Sequence, residues 1–304
     1  MPEQPVLLVL DADPSPRLGA LTGRVRVRRT DGAGLAAALA EADALLVWDT
    51  GSDAVRGAWP GSGRRPAWVH VAGPDVDRVV CPELAAGGTV LTRARGVFER
   101  PVAEYVAGLL LAFAQDFPGS PGSRRGRTPV LLAGSRAVVV GAGPVGRETA
   151  RLLMALGVEV ALVGRTARRT IHGMDDLDRL AAAADRVVAA LPPTPLTRGL
   201  FDRRFFGLMQ PSAVFVNVGS AASVAEDELA AAVRDRWIAG AALDGPAGAP
   251  AEVPGLLVTP RRAGAVAGRH DRLAEQFVAL YERWAAGEEL PHPVDPALGY
   301  TPGP

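Results

Sequence analysis

The chain has 304 residues, with 33 basic and 33 acidic side chains and therefore no formal net charge. All 33 basic residues are Arg; the absence of Lys excludes Schiff-base and pyridoxal-phosphate chemistry, a phosphate-loop Lys and a kinase Lys. A single Cys, Cys81, excludes an intrachain disulfide framework, a Cys-built zinc site and an iron–sulfur cluster.

The charge balance offers no electrostatic case for binding nucleic acid or an anionic membrane. No apolar run reaches the ~18 residues of a membrane span, and Met-Pro-Glu-Gln-Pro lacks the basic start of a secretory leader, so the expected compartment is the cytoplasm. The length predicts two domains.

In chain order, Val6–Leu10 reads as a buried strand, Leu35–Glu41 as an Ala-rich helix, Ala44–Trp48 as a second strand and Trp68–Val71 as a third, closing on Gly73-Pro74-Asp75. Val102–Phe113 has helical spacing, and Pro118–Pro129 has the Gly/Pro/Ser/Arg content of an exposed loop. A second alternation starts at Ala137–Val140 (strand), then Pro144–Leu156 (helix), Val158–Val163 (strand), Leu177–Ala184 (helix) and Arg186–Leu191 (strand). It continues with the strand Val214–Val218, the helix Ala225–Val233, the strands Ala239–Leu243 and Leu256–Thr259, and a closing helix Arg269–Ala286. Strands alternating with helices predict an α/β protein with two doubly wound parallel sheets.

Between the first strand and helix of the second alternation lies Gly141-Ala142-Gly143-Pro144-Val145-Gly146, a G-x-G-x-x-G fingerprint. The first Gly permits the tight turn, the second lets backbone approach a pyrophosphate, and the third lets helix pack on strand. Phosphates then sit on the free N–H groups of the helix N-terminus. After the next strand, where an acidic residue would bind the ribose 2′-hydroxyl of NAD, the chain has Gly164-Arg165-Thr166-Ala167-Arg168-Arg169. Arg165, Thr166 and Arg168 suit a 2′-phosphate, so NADP is the expected cofactor, with NAD as the alternative; a solvated Arg cluster is the structural reading of the same residues.

Together these motifs resemble the D-isomer-specific 2-hydroxyacid dehydrogenase family, which includes hydroxypyruvate and glyoxylate reductases. The likeness runs through Val102-Ala103-Glu104-Tyr105, Leu132-Ala133-Gly134, Leu191-Pro192-Pro193-Thr194-Pro195-Leu196-Thr197 and Met209 to Asn217. It continues through Gly240-Ala241-Ala242-Leu243-Asp244, Thr259-Pro260 and Gly299-Tyr300. The resemblance implies a Rossmann cofactor domain, residues 102–284, inserted in a flavodoxin-like substrate domain, residues 1–101 and 285–304. It also implies a homodimer formed through the cofactor domain, a small-molecule substrate, and cofactor contacts at Pro144, Val145, Leu191, Pro192, Val218, Gly219, Ser220 and Asp244. Asn217, the sole Asn, takes the place of the family's motif Asn; a turn residue is its other reading.

The same resemblance exposes departures. The family uses an Arg to hold the substrate, a His to donate a proton and a Glu to tune that His. Here the aligned residues are Ser220, Arg261 and Ala249. The family's Gly-x-Gly-x-Asp loop offers N–H groups to a substrate carboxylate, but the corresponding Gly73, Pro74 and Asp75 include a residue with no N–H and an added acid.

Three side chains are candidates for replacement chemistry. Ser220 could hydrogen-bond a carbonyl or serve as a small filler. Arg261 could stabilise an oxyanion or bind cofactor phosphate. His70 could face a cleft or be a hydrogen-bonded structural His. His270 is assigned to the surface; His172 and His292 fall in loop-like segments, and no metal-ligand spacing joins the four. Trp48 and Arg95 are possible lining residues, with core packing and a solvated charge as their plainer readings. Cys81 reads as an inert thiol.

The expectation is a divergent NADP(H)-dependent oxidoreductase acting on something other than a simple 2-oxo acid. The alternatives are a redox-inactive nucleotide-binding sensor or scaffold, and a non-redox enzyme.

Overall fold

The computed structural model describes residues 4–116, 128–245 and 253–299. The chain divides into two compact units, residues 1–97 with 267–304, and residues 98–266. The expected loop at Pro118–Pro129 lies almost entirely outside the described residues, as do Ala249 and Tyr300.

The first unit holds β1 (Val6–Leu10), β2 (Arg26–Thr30), β3 (Ala44–Val47), β4 (Trp68–Val71) and β5 (Val90–Arg93). All pair in parallel, in the order β2-β1-β3-β4-β5. Short helices α1 (Leu35–Leu39), α2 (Ala54–Ala58) and α3 (Pro82–Ala85) connect the strands. The apolar runs β1, β3 and β4 are buried along their whole length, as strands covered on both faces must be. The edge strand β2, Arg-Val-Arg-Arg-Thr, has no fully buried residue, which is why its composition does not announce a strand.

The second unit begins with α4 (Glu99–Gln115) and continues with β6 (Arg136–Val140), α5 (Pro144–Ala155), β7 (Glu159–Val163), α6 (Leu177–Ala183) and β8 (Arg186–Ala189). It ends with α7 (Arg203–Leu208), β9 (Val214–Asn217), α8 (Glu226–Arg234), β10 (Gly240–Gly245) and β11 (Leu256–Pro260). Its sheet runs β11-β10-β9-β8-β6-β7, all parallel. Among the described residues, a single bridge beyond β7, Val163 to His172, stands where the doubly wound order would place a third strand on that side. One face of the sheet packs on an edge-to-face cluster of Phe201, Phe205, Phe206 and Phe215; the other meets α4 and α5 through Val106, Leu110, Phe113 and Leu153. Both sheets are the expected α/β arrangement.

The closing helix α9 (Arg269–Ala285) belongs to the first unit, whereas the sequence reading carried the cofactor domain to residue 284. Aromatic packing accounts for the difference. Phe277 stacks on Trp68 with centroids 5.3 Å apart and planes 11° apart, and Trp284 lies 5.8 Å from the same indole. The chain then returns along β5, where Val294 N–H donates to Leu91 O at 2.8 Å.

Candidate functional site

The fingerprint lies where the C-terminal end of β6 meets α5. Gly141 has φ +118°, and a Cβ there would come within 2.4 Å of the Ala190 carbonyl oxygen. A Cβ on Gly146 would lie 1.7 Å from the Gly141 oxygen, so helix and strand meet at a distance only glycine permits. Gly143 is different: a Cβ there would meet nothing within 4 Å. Gly143 is the exposed N-cap of α5, with no side chain capping it, and Pro144 follows at the first helical position. The first-turn N–H groups of α5, those of Val145 and Gly146 among them, have no partner within the helix itself. Two glycines closed by backbone and one left open make a cradle that fits a dinucleotide's pyrophosphate.

The next strands extend this edge. Val218 and Gly219 both donate to Ala189 O, at 2.9 and 3.2 Å, and Ser220 N–H donates to Leu191 O at 2.9 Å. A Cβ on Gly219 would sit 2.5 Å from both the N and the O of Leu191. The buried Asn217 holds the turn: Oδ1 accepts from Gly219 N–H at 3.1 Å, and Nδ2 donates to Ser220 O at 3.2 Å. Its turn role is thus the one the structure displays. Leu191, Pro192, Val218, Gly219 and Ser220 come together as one partly exposed ledge.

After β7, Gly164 packs on the fingerprint loop, where a Cβ would lie 3.1 Å from the Ala142 Cβ. The chain then makes a small hairpin in which Arg168 and Ile171 exchange backbone hydrogen bonds at 2.8 and 2.9 Å. Arg165, Thr166, Arg168 and Arg169 are exposed on it.

The replacement candidates separate. His70 is fully buried in β4, which removes it from any substrate-facing role. Its Nδ1 lies 2.8 Å from the Thr92 hydroxyl, which also accepts from Trp68 Nε1 at 2.8 Å, and burial pulls its pKa down to about 3. The cause is the cover given by Trp68 and Phe277, the latter supplied by α9. Ser220 Oγ accepts from Ala222 N–H at 3.2 Å, capping a short 3₁₀ turn, and so has structural work. Arg261 is exposed just after β11, in the left-handed region at φ +50°. The Asp244 carboxylate, which the resemblance makes a cofactor contact, accepts from Thr259 Oγ1 at 2.7 Å and from the N–H groups of Arg262 and Ala263 at 2.6 and 2.9 Å.

In the first unit, Gly73 is buried against Thr50, and the Pro74 carbonyl accepts from the Arg93 guanidinium. Trp48 is buried and donates to Pro14 O at 2.8 Å. Arg95 is bracketed by Gln276, which bonds both its N–H and its carbonyl. His270, read as a surface residue, is partly buried 5.9 Å from the Trp48 ring and within 3.1 Å of the Arg269 guanidinium; burial and then Arg269 lower its pKa. Cys81 is buried and its thiol pKa is raised by burial, as an inert thiol requires. Sequence reading missed Arg93, Tyr105 and the Trp48–His270 pair. The sequence carries no signal of these pairings: Arg93 stands in register with Val71, two residues before Gly73, only in the folded sheet.

The model of the D-isomer specific 2-hydroxyacid dehydrogenase NAD binding domain matches residues 115–262. The chain is 31% identical, over 96% of its own length, to the D-3-phosphoglycerate dehydrogenase of Mycobacterium bovis. Residues 115–262 carry the NAD binding domain of the D-isomer specific 2-hydroxyacid dehydrogenase family. The chain covers 59% of that Mycobacterium bovis relative, so it spans about three fifths of the length of such curated relatives. The NADPH-dependent glyoxylate/hydroxypyruvate reductase of Sinorhizobium meliloti in complex with citrate is 25% identical, with TM-score 0.79, covering 96% of this chain and 98% of that one. A second Sinorhizobium meliloti NADPH-dependent reductase, in complex with NADP and sulfate, shares the fold at 22% identity and TM-score 0.78, covering 98% and 100%. The family's nicotinamide-binding domain is therefore the second unit. Among the described residues no helix is long and apolar enough to cross a membrane, and no group of three or more His, Cys, Asp or Glu could hold a metal.

Proposed function

We propose that the chain is an NADP(H)-dependent oxidoreductase of this family that reduces a substrate other than a simple 2-oxo acid. The observation that carries the reading is the cradle of Gly141, Gly143 and Gly146, with the Arg165–Arg169 turn joined to it through the contact of Gly164 with Ala142. When bound, the nicotinamide supplies or accepts hydride; the chain's own residues bind and orient. The first turn of α5 would hold the pyrophosphate, the ledge of Leu191, Pro192 and Gly219 would support the nicotinamide half, and Arg165, Thr166 and Arg168 would meet a 2′-phosphate. The structurally similar reductases named for NADPH support the same choice.

The substrate part of the reading rests on replaced residues. Ser220 stands in the Arg position and already caps a turn, and Pro74 offers no N–H to a carboxylate. The exposed apolar residues Val130, Leu131 and Met154, at the ends of α4 and α5, are suited to cover by a second copy, so the proposal includes a homodimer through this unit.

Fluorescence titration with NADPH and NADH, followed by turnover on glyoxylate, hydroxypyruvate, ketones, imines and activated alkenes, tests the reading. Tighter binding of NADPH and turnover confined to the last three classes is expected. Rapid reduction of glyoxylate or hydroxypyruvate overturns the substrate reading, and tighter NADH binding overturns the cofactor reading. A second reading, a redox-inactive nucleotide-binding protein, is favoured by the burial of His70 and the capping role of Ser220. NADPH binding with no turnover on any class decides for it.

A further inference from the structure

The segment after β11 is built with more hydrogen bonds than a connecting turn needs. Arg261 N–H donates to Thr259 O at 3.0 Å, and the next two N–H groups, of Arg262 and Ala263, both donate to Asp244. The Thr259 hydroxyl gives its proton to Asp244 Oδ1 at 2.7 Å and accepts the Tyr105 hydroxyl proton, also at 2.7 Å. Tyr105 comes from α4, so three elements converge on one turn. Inside this clamp Arg261 holds φ +50°, a conformation that costs a side-chain-bearing residue about 1 kcal/mol. Arg261 is exposed while Tyr105, Thr259 and Asp244 are partly buried beneath the turn.

We propose that Arg261 is a preformed receptor for a carboxylate, that Tyr105, Thr259 and Asp244 are positioning residues for it, and that the carboxylate belongs to the substrate. A guanidinium presents a planar fork that matches a carboxylate, and a fixed backbone lowers the cost of ordering it. The sheet order excludes the cofactor's phosphates as its ligand. β11 is four places from β6, about 19 Å of sheet, and five from β7. A pyrophosphate at the Gly143 cradle and a 2′-phosphate at Arg165 both lie beyond the reach of this side chain.

That the carboxylate belongs to the substrate rests on the oxidoreductase reading; the carboxylate site does not.

Phenylglyoxal labelling read by peptide mass spectrometry separates the two. Succinate, as the carboxylate probe, is expected to slow labelling of Arg261 about tenfold in the intact protein, while NADP⁺ alone leaves Arg261 unchanged. Asp244→Asn is expected to abolish the succinate protection without changing succinate binding in an Arg261→Gly background, because the two residues act as one unit. Glycine suits φ +50°, so that variant keeps the fold, and Thr259→Val serves if Asp244→Asn does not fold. Arg261→Lys is expected to restore part of the binding. Protection of Arg261 by NADP⁺, no protection by succinate, or an equal effect of Asp244→Asn in both backgrounds overturns the proposal. Whether NADP⁺ protects Arg165 is read in the same experiment and bears on the cofactor reading alone.

Discussion

Acid should destabilise the first unit chiefly through His70, with the lowered pKa of His270 acting in the same direction. An indole N–H can only donate, so Thr92 Oγ1 accepts from Trp68 and keeps its own proton free to donate to His70 Nδ1. That assignment leaves the imidazole neutral with its proton on Nε2, which is buried and meets no acceptor among the described residues. In the unfolded chain the same imidazole takes up a proton near its ordinary pKa of 6.5; in the folded chain burial lowers that to about 3. The unfolded state therefore binds more protons between these values, and stability falls as pH falls through that window. The loss approaches about 1.4 kcal/mol per pH unit below 6.5, or about 2 kcal/mol between pH 7 and pH 5. For a chain of this size that is a fall in Tm of roughly 4–8 °C. His70→Asn keeps an acceptor near the Nδ1 position and removes the titration. Thermal unfolding at the two pH values is expected to show the full drop in the parent chain and a drop smaller by about 2 kcal/mol in the variant. Glu148 and Asp176, whose carboxyls are held low by Arg151 and Arg179, stay ionised across this range and do not mask the effect. Equal pH slopes for parent and His70→Asn would refute the assignment of His70 as the buried neutral group.

Three further outcomes are expected. Arg165→Asp weakens NADPH by roughly 10- to 100-fold and NADH little, since one charge-assisted contact of about 1.5–3 kcal/mol is lost and a repulsive charge added; fluorescence titration measures both. Gly146→Ala places a Cβ 1.7 Å from the Gly141 oxygen, so both NADPH affinity and Tm fall, whereas Gly143→Ala, with nothing within 4 Å, lowers affinity and spares Tm. Leu131→Asp puts a charge on the most exposed residue of the proposed dimer face, 78% accessible, and is expected to yield monomer in light scattering with NADPH affinity retained.

What could be read from the sequence followed from local constraint. β1, β3, β4 and β6 declare themselves because strands covered on both faces need nearly unbroken apolar runs, and the fingerprint does so because Gly141 and Gly146 each answer a clash with nearby backbone. β2 does not, since an edge strand can carry three Arg in five residues. The status of His70 was beyond reach: Phe277, part of its cover, lies more than 200 positions downstream. The same holds for the turn after β11. Thr259 and Asp244 are 15 residues apart, and Tyr105 is 154 from Thr259, so a resemblance that assigned Asp244 to the cofactor had no means of showing its carboxylate bonded inward.

The two halves of the second unit's ligand edge are constrained unequally by their construction. At the cradle, replacing Gly141, Gly146 or Gly219 drives a Cβ into backbone at 2.5 Å or less, so these positions are held by folding as well as by binding. At Ser220 and Arg261 no comparable clash exists: one side chain caps a short turn and the other is exposed. Chemistry can change there without loss of fold, provided the backbone beneath stays fixed. Asn217 fixes it under Ser220, and Asp244 with Thr259 and Tyr105 fixes it under Arg261. A family scaffold can thus keep its nucleotide platform and exchange the groups that meet the substrate, which is the condition the proposed change of substrate requires.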